Sequence, residues 1–125
     1  MQPIDNNIKG GKMYNSVMLI GRTTDKPTIR KLESGVVVGN FVLAVSRPFK
    51  NSDGEYDVDF VPCTLWNANA VNANEFCNKG STVAVRGYLQ MKDDNVNINT
   101  ESGEVVKKTI KVIDIVVEKL IFLKL

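Results

Sequence analysis

Apolar and polar positions alternate with a period of two over several stretches of the chain, and that period predicts strands. Tyr14 to Arg22 reads as the first, with Val17, Leu19 and Gly21 alternating against Ser16, Met18, Ile20 and Arg22. Gly21 is expected to allow a bend or bulge. Asp25-Lys26-Pro27 and Ser34-Gly35 are turn signals on either side of Thr28 to Leu32. The longest β-rich run, Val36 to Val45, places Phe41, Leu43 and Val45 in core register and Asn40, Val42, Ala44 and Ser46 on the other face. Asp53-Gly54 predicts a hairpin tip. Beyond it Glu55, Asp57 and Asp59 lie on one side of the chain and lead into Phe60 to Trp66.

That stretch has two apolar faces. Val61, Cys63 and Leu65 are small and aliphatic, while Phe60, Pro62, Thr64 and Trp66 carry the only tryptophan and a phenylalanine. Taken alone it reads as a central strand buried on both sides. The competing reading, a stacking platform, depends on the rest of the chain. The period then changes: Ala70, Ala73, Phe76 and Cys77 recur at helical spacing, Asn67 or Asn69 can cap the start, and Lys79-Gly80 can end it, so one short helix is predicted over about Ala68 to Asn78. Thr82 to Gln90 resumes the strand pattern, with Val83, Val85 and Leu89 in core register and Arg86 and Tyr88 opposite. Asn95 to Thr100 and Val105 to Val112 flank a tip at Glu101 to Glu104 and predict a protruding hairpin. Ile113 to Leu123 is too apolar for a solvated edge and belongs in a sheet or an interface.

The predicted fold class is therefore all-β with one short helix. Strands in that order, with the helix between the third and fourth, match the OB-fold, a five-stranded Greek-key barrel, here with long hairpin loops. A chain of 125 residues accommodates one such domain. We assign residues 1–12, polar and broken by Gly10-Gly11, to a flexible N-terminal arm whose lysines can touch phosphate, and 13–125 to the domain.

Composition narrows the chemistry. The 16 basic and 14 acidic residues give a net charge of +2, so any nucleic-acid affinity must come from local clustering. There is no histidine, which removes the histidine-dependent triads and metal sites and makes an enzyme the less favoured class. Cys63 and Cys77 match no metal-ligand spacing and read as reduced thiols. No apolar run is long enough to cross a bilayer and the first residues lack a signal-peptide pattern, so the expectation is a cytoplasmic protein with no membrane association.

In a barrel of this kind Phe49, Phe60 and Trp66 fall on the second and third strands or the loop joining them, where single-stranded bases would stack, with Tyr88 as a further candidate. Between Arg22 and Lys50 six basic residues face two acidic ones, an excess beside the aromatics. Arg22, Arg30, Lys31, Arg47, Lys50 and Arg86 are the candidate phosphate contacts. No catalytic residue, metal or cofactor is assigned. Asp53, Glu55, Asp57 and Asp59 could hold a divalent cation for a nuclease, but their place at a turn and along an exposed strand favours a charged edge. The same fold would also serve a protein-interaction or primosome-type accessory module, or an RNA-binding domain of the cold-shock kind.

Met18-Leu19-Ile20-Gly21-Arg22, Val38-Gly39-Asn40-Phe41-Val42-Leu43-Ala44-Val45 after Ser34-Gly35, Arg47-Pro48-Phe49-Lys50, Asp59-Phe60, and Lys79-Gly80-Ser81 with Val85-Arg86-Gly87-Tyr88-Leu89 resemble the bacterial-type single-stranded DNA-binding protein family. The resemblance covers about Tyr14 to Leu123. It implies an OB-fold core that binds single-stranded DNA in replication, recombination and repair and assembles as a homo-oligomer, a tetramer in preference to a dimer. It also implies stacking on Phe49, Phe60 and Trp66. A further stacking tryptophan of some members falls near Asp94 here. Many relatives continue into an acidic tail that docks replication and repair proteins, whereas this sequence ends at Lys124-Leu125, so the expectation is a tail-less core or a phage or mobile-element member without such docking.

Overall fold

A computed structural model describes residues 13–124, and the proposed arm over 1–12 lies outside them. The alternating segments form six strands, β1 (Val17–Thr23), β2 (Thr28–Lys31), β3 (Val37–Lys50), β4 (Tyr56–Trp66), β5 (Thr82–Asn99) and β6 (Val105–Phe122), with a helix α1 (Ala68–Phe76) between β4 and β5. Strand order across the sheet is β1-β5-β6-β4-β3-β2, and a second pairing of β1 with β3 closes the first five of these into a barrel. The result is the OB-fold arrangement, with β2 added as a short hairpin arm on β3.

Closure rests on two short ladders. Arg22 and Thr23 of β1 pair with Ala44 and Leu43 of β3, and Cys63 and Thr64 of β4 pair in parallel with Ile115 and Val116 of β6. Strands can pass this closely only where side chains are missing. A Cβ on Gly21 would lie 2.3 Å from the Ala44 carbonyl oxygen, so this glycine serves a close crossing of β1 over β3. The β1 ladder with β5 runs without a register shift through Gly21, so of the expected bend or bulge the bulge is not found there. The bulge sits instead on β6, where Arg86 faces Lys119 and Gly87 faces Val117, leaving Glu118 as the extra residue.

Inward-facing Leu43, Leu65, Val83 and Val85 are fully buried and pack with Phe41, Cys63, Ile115 and Val117. Helix α1 closes one end of this core through Ala70 and Ala73, small enough for Ala70 to approach Gly39. The helix ends two residues before the predicted boundary, because Cys77 turns to an extended conformation after its N–H bonds the Ala73 carbonyl at 2.8 Å. Its first cap also differs from expectation. Asn67 adopts φ 54° and makes no side-chain cap; its Oδ1 accepts from the Val37 N–H at 3.2 Å, tying the helix start to β3.

Leu89 has the predicted inward register but is 38% exposed. Beyond Gly87, β5 has lost β1 as a neighbour and continues with β6 alone. That two-stranded extension, from the Gln90–Asp114 pair to the Asn99–Val105 pair, reaches about 30 Å at the usual rise per residue. Its opposite pairs are complementary: Lys111 bridges Asp93 and Thr109 donates to Asn95 at 2.9 Å. The polar stretch around Lys92-Asp93-Asp94 is thus continuous strand, and Val105 to Phe122 is one strand rather than two segments. The final strand lies inside the sheet, as its apolar character requires, with Asp114 to Val117 buried.

Candidate nucleic-acid interface

Register settles which side chains share the outside of the barrel. Arg22 pairs with Ala44, Ala44 with Phe60, and Arg22 also with Thr82, so these four residues form one row across β5, β1, β3 and β4. A second row runs from Arg30 through Val38 to Trp66. Between them lies a third, Thr28-Asn40-Thr64-Val116-Tyr88. Phe60 and Trp66 therefore stand on the same outer face of β4, six residues and about 20 Å apart. The doubly buried reading of this strand is corrected: Phe60 is 66% exposed and Trp66 42%, while Cys63 and Leu65 hold the core.

Phe49 is 64% exposed and is presented by an irregularity in β3. Ladder pairing stops at Ser46–Val58 and resumes at Lys50–Tyr56, so three residues, Arg47 to Phe49, oppose the single Asp57. Pro48, which has no N–H to give, suits that gap. The hairpin beyond it is set by Asn51, whose Oδ1 accepts from the N–H groups of Asp53 at 2.9 Å and Glu55 at 3.0 Å, and by Gly54 at φ 79°. Tyr88, the fourth aromatic, is half-buried beside Val116.

The cations are less uniform than the sequence implied. Arg22 and Arg30 are exposed on the outer rows, beside Ala44 and Val38. Lys31 is exposed but takes the opposite side of β2. Lys50 lies over the Tyr56 ring, 5.8 Å from its centroid. Arg86 stands between Met18 and Lys119, on the face of β5 that carries Tyr88 but outside the rows of Phe60 and Trp66. Arg47 is already engaged: Nε and an Nη donate to the two Asp59 oxygens at 3.1 and 3.0 Å, and Asp57 lies at 3.8 Å. The hydrogen bond to Asp59 raises the Arg47 pKa and holds the Asp59 carboxyl below its ordinary value. Asp57 also accepts from Asn51 at 3.1 Å, so these carboxylates are taken up by the hairpin itself.

Three depressions lie along these rows and together mark a trough, the second and third sharing Asn40 and Lys92. One of about 490 Å³ is bordered by Ile20, Arg22, Ala44 and Val58, the next of about 290 Å³ by Thr28, Val42, Pro62 and Lys92, and the last of about 310 Å³ by Arg30, Asn40, Thr64, Trp66, Gln90 and Asp114. Two contributors escape a reading of the sequence alone. Tyr56 has the same parity as Phe60 and Trp66 and is 54% exposed, a signal already present in the alternation of β4. Lys92 borders two of the depressions, but its place depends on the hairpin continuing as strand past Gln90. An exposed track of aromatic rings with cations at intervals can bind bases by their π-faces and the backbone by charge.

Among the described residues no group of three or more Cys, Asp or Glu is placed to hold a metal ion, and no helix is long and apolar enough to cross a membrane. The single-strand binding protein family matches residues 14–122. Single-stranded DNA-binding protein B of Bacillus subtilis is 40% identical over 104 residues, 82% of this chain and 92% of that protein. Single-stranded DNA-binding protein 3 of Listeria innocua is 40% identical over 112 residues, 90% of this chain and 65% of the relative. The single-stranded DNA-binding protein of Halalkalibacterium halodurans is 38% identical over 104 residues, 82% and 62% of the two chains. The chain thus spans slightly less than two thirds of these two longer relatives.

Proposed function

This chain belongs to the single-strand binding protein family, and from that premise we propose that it binds single-stranded DNA along the outer trough, with little sequence preference, and shields it during replication, recombination and repair. The observation that carries this reading is the shared outer face of Phe60 and Trp66, with Arg22 and Arg30 in the same cross-strand rows. Bases stack on Phe60 and Trp66 and on Phe49 at the hairpin, with Tyr56 and Tyr88 as flanking contacts. Phosphates pass Arg22, Arg30, Lys50 and Lys92. Lys31, Arg47 and Arg86 are outlying cations that add to the field around the trough. The task is binding, with no bond made or broken.

Self-association fits the rest of the surface. Tyr14 ahead of β1, Met18 on β1 and Ile121 on β6 are exposed apolar side chains away from the trough's borders. Covering them with another copy would remove apolar area from water and link several troughs, so that one strand of DNA binds subunits in series. A tetramer, or a dimer of the same contacts, is the assembly we expect; sedimentation of the free protein distinguishes the two from a monomer.

The deciding experiment uses the lone tryptophan. Titration with poly-dT should quench Trp66 fluorescence, and a duplex of equal length should not. No change with either would overturn the assignment of Trp66 to a stacking site.

A further inference from the structure

A hydroxyl has one proton to give, and two acceptors compete for that of Thr64. Its Oγ lies 2.6 Å from Asp114 Oδ2 and 3.3 Å from Asn40 Oδ1. Asp114, buried and 3.7 Å from the Lys92 ammonium, is an acceptor only. The charged acceptor at the shorter distance takes the proton. Asn40 Oδ1 would then face a lone pair, whereas a half-turn of the amide brings Nδ2 to the same place, donating to the hydroxyl. The chain from Asn40 through Thr64 to Asp114 Oδ2 is satisfied in that orientation. It leaves the amide oxygen and one N–H of Asn40 free. Asn40 is itself exposed on the outer face of β3, one cross-strand pair along from Val38–Trp66, and it borders two of the three depressions.

We propose that Asn40 is a base-edge contact of the trough, hydrogen-bonding through Oδ1 and its free N–H to the Watson–Crick edge of a base stacked at Trp66. This contact rests on the single-strand-binding reading of the trough. An amide suits a binder that is indifferent to sequence, because an acceptor beside a donor matches an edge of every base. Cytosine offers its N4 amino group beside N3, adenine its N6 amino group beside N1, thymine N3–H beside O4 and guanine N1–H beside O6. A carboxylate, which only accepts, or an ammonium, which only donates, would match half of each pair. Stacking on Trp66 and charge at Arg30 hold the strand with no use of base edges, so Asn40 adds a polar contact that the rings and cations do not make. Thr64 is a positioning residue: by engaging one amide N–H it fixes which atoms of Asn40 the base meets.

The test compares short labelled oligomers of equal length by anisotropy at fixed salt, one of dT and one of its difluorotoluene isostere, which keeps thymine's shape and flat ring without its hydrogen bonds. Stacking and phosphate contacts elsewhere contribute alike to wild type and Asn40→Ala, so the change in the dT-to-isostere affinity ratio isolates the edge contact. Its loss in Asn40→Ala should lower that ratio by about fivefold. Equal weakening of both oligomers, leaving the ratio where it was, would overturn the proposal and leave Asn40 as a partner of Thr64 only. Thr64→Ser should keep the wild-type ratio and Thr64→Val, without the hydroxyl, should lower it; a wild-type ratio in Thr64→Val would overturn the positioning role. If Asn40→Ala does not fold, wild type decides: the side-chain amide resonances of Asn40 should shift with dT and not with the isostere, and the same response to both overturns the contact. Failure of wild type to bind dT at all would instead remove the single-strand-binding reading, and this inference with it.

Discussion

Arg47 grips Asp59 across the β3–β4 hairpin through two hydrogen bonds, at 3.1 and 3.0 Å, which places a neutralised pair beside Phe60. The residue that sequence offered as a phosphate contact is therefore held by a carboxylate in the free protein. Removing the acid should release it. Asp59→Asn is expected to tighten single-stranded DNA binding at low salt and to steepen its salt dependence by about 0.7 log unit per decade, the increment for one additional phosphate. Arg47→Ala should weaken binding little. An unchanged salt slope in Asp59→Asn would show that Arg47 does not reach the backbone even when free.

The same pair links stability to pH in a definite direction. Asp59 has a depressed folded pKa, so its contribution is present at neutral pH and is lost as pH falls below the ordinary carboxylate range toward the folded value. Any difference in thermal midpoint between wild type and Asp59→Asn should therefore be largest near pH 7 and vanish in strong acid. Both groups are exposed, so the difference at pH 7 should be small.

Tyr56 and Phe60 share one face of β4 and are both more than half exposed. Alanine at either should weaken binding by about 1–3 kcal/mol if each ring stacks a base, with no loss of the folded state. Leu65→Ala, on the opposite face and fully buried, should instead cost about 2–5 kcal/mol of stability. Chemical denaturation of the three variants separates the two effects; unfolding of Phe60→Ala would return this ring to the core.

Gly87 marks the place where the barrel gives way to the long hairpin. A Cβ there would sit 1.9 Å from the Val116 carbonyl oxygen, backbone that cannot step aside without breaking the bulge at Glu118. Gly87→Ala should destabilise by roughly 3 kcal/mol or more. Gly103→Ala, at φ 84° in the open hairpin tip, has space for the methyl group and should cost about 1 kcal/mol through backbone strain alone. Equal midpoints in a denaturant series would contradict the close approach.

Much of this was legible in the chain because β-structure writes itself with a period of two. The opposite faces of Phe60 to Trp66, the turns at Gly35 and Gly54 and the position of the helix all follow from local rules. Long-range register did not. That Arg30 meets Trp66 through Val38, that Arg86 falls in a row with Met18 and Lys119, and that Arg47 finds Asp59 depend on which strands pair and where a bulge falls. Asp114 was visible as a lone acid within an apolar run, yet only the parallel pairing of β4 with β6 brings it under Thr64. Leu89 shows the reverse case, a core register that loses its cover because β5 outruns its neighbour β1.

The two cysteines provide a test of the barrel's closure. Cys63 is buried between Phe41 and Ile115, and burial first, with the Asp114 charge second, pushes its thiol pKa up to about 12. Burial also raises Cys77, behind the helix. The thiolate is the reactive form, so neither should react with a thiol reagent at neutral pH while the barrel stays closed. Labelling should follow opening of the barrel, faster for Cys77 if the helix end detaches before the sheet. Oligonucleotide that binds the folded trough should slow both reactions in proportion to its stabilisation. Prompt modification of Cys63 in the native protein would show that the β4–β6 seam, closed by only the Cys63–Ile115 and Thr64–Val116 pairs, opens without global unfolding.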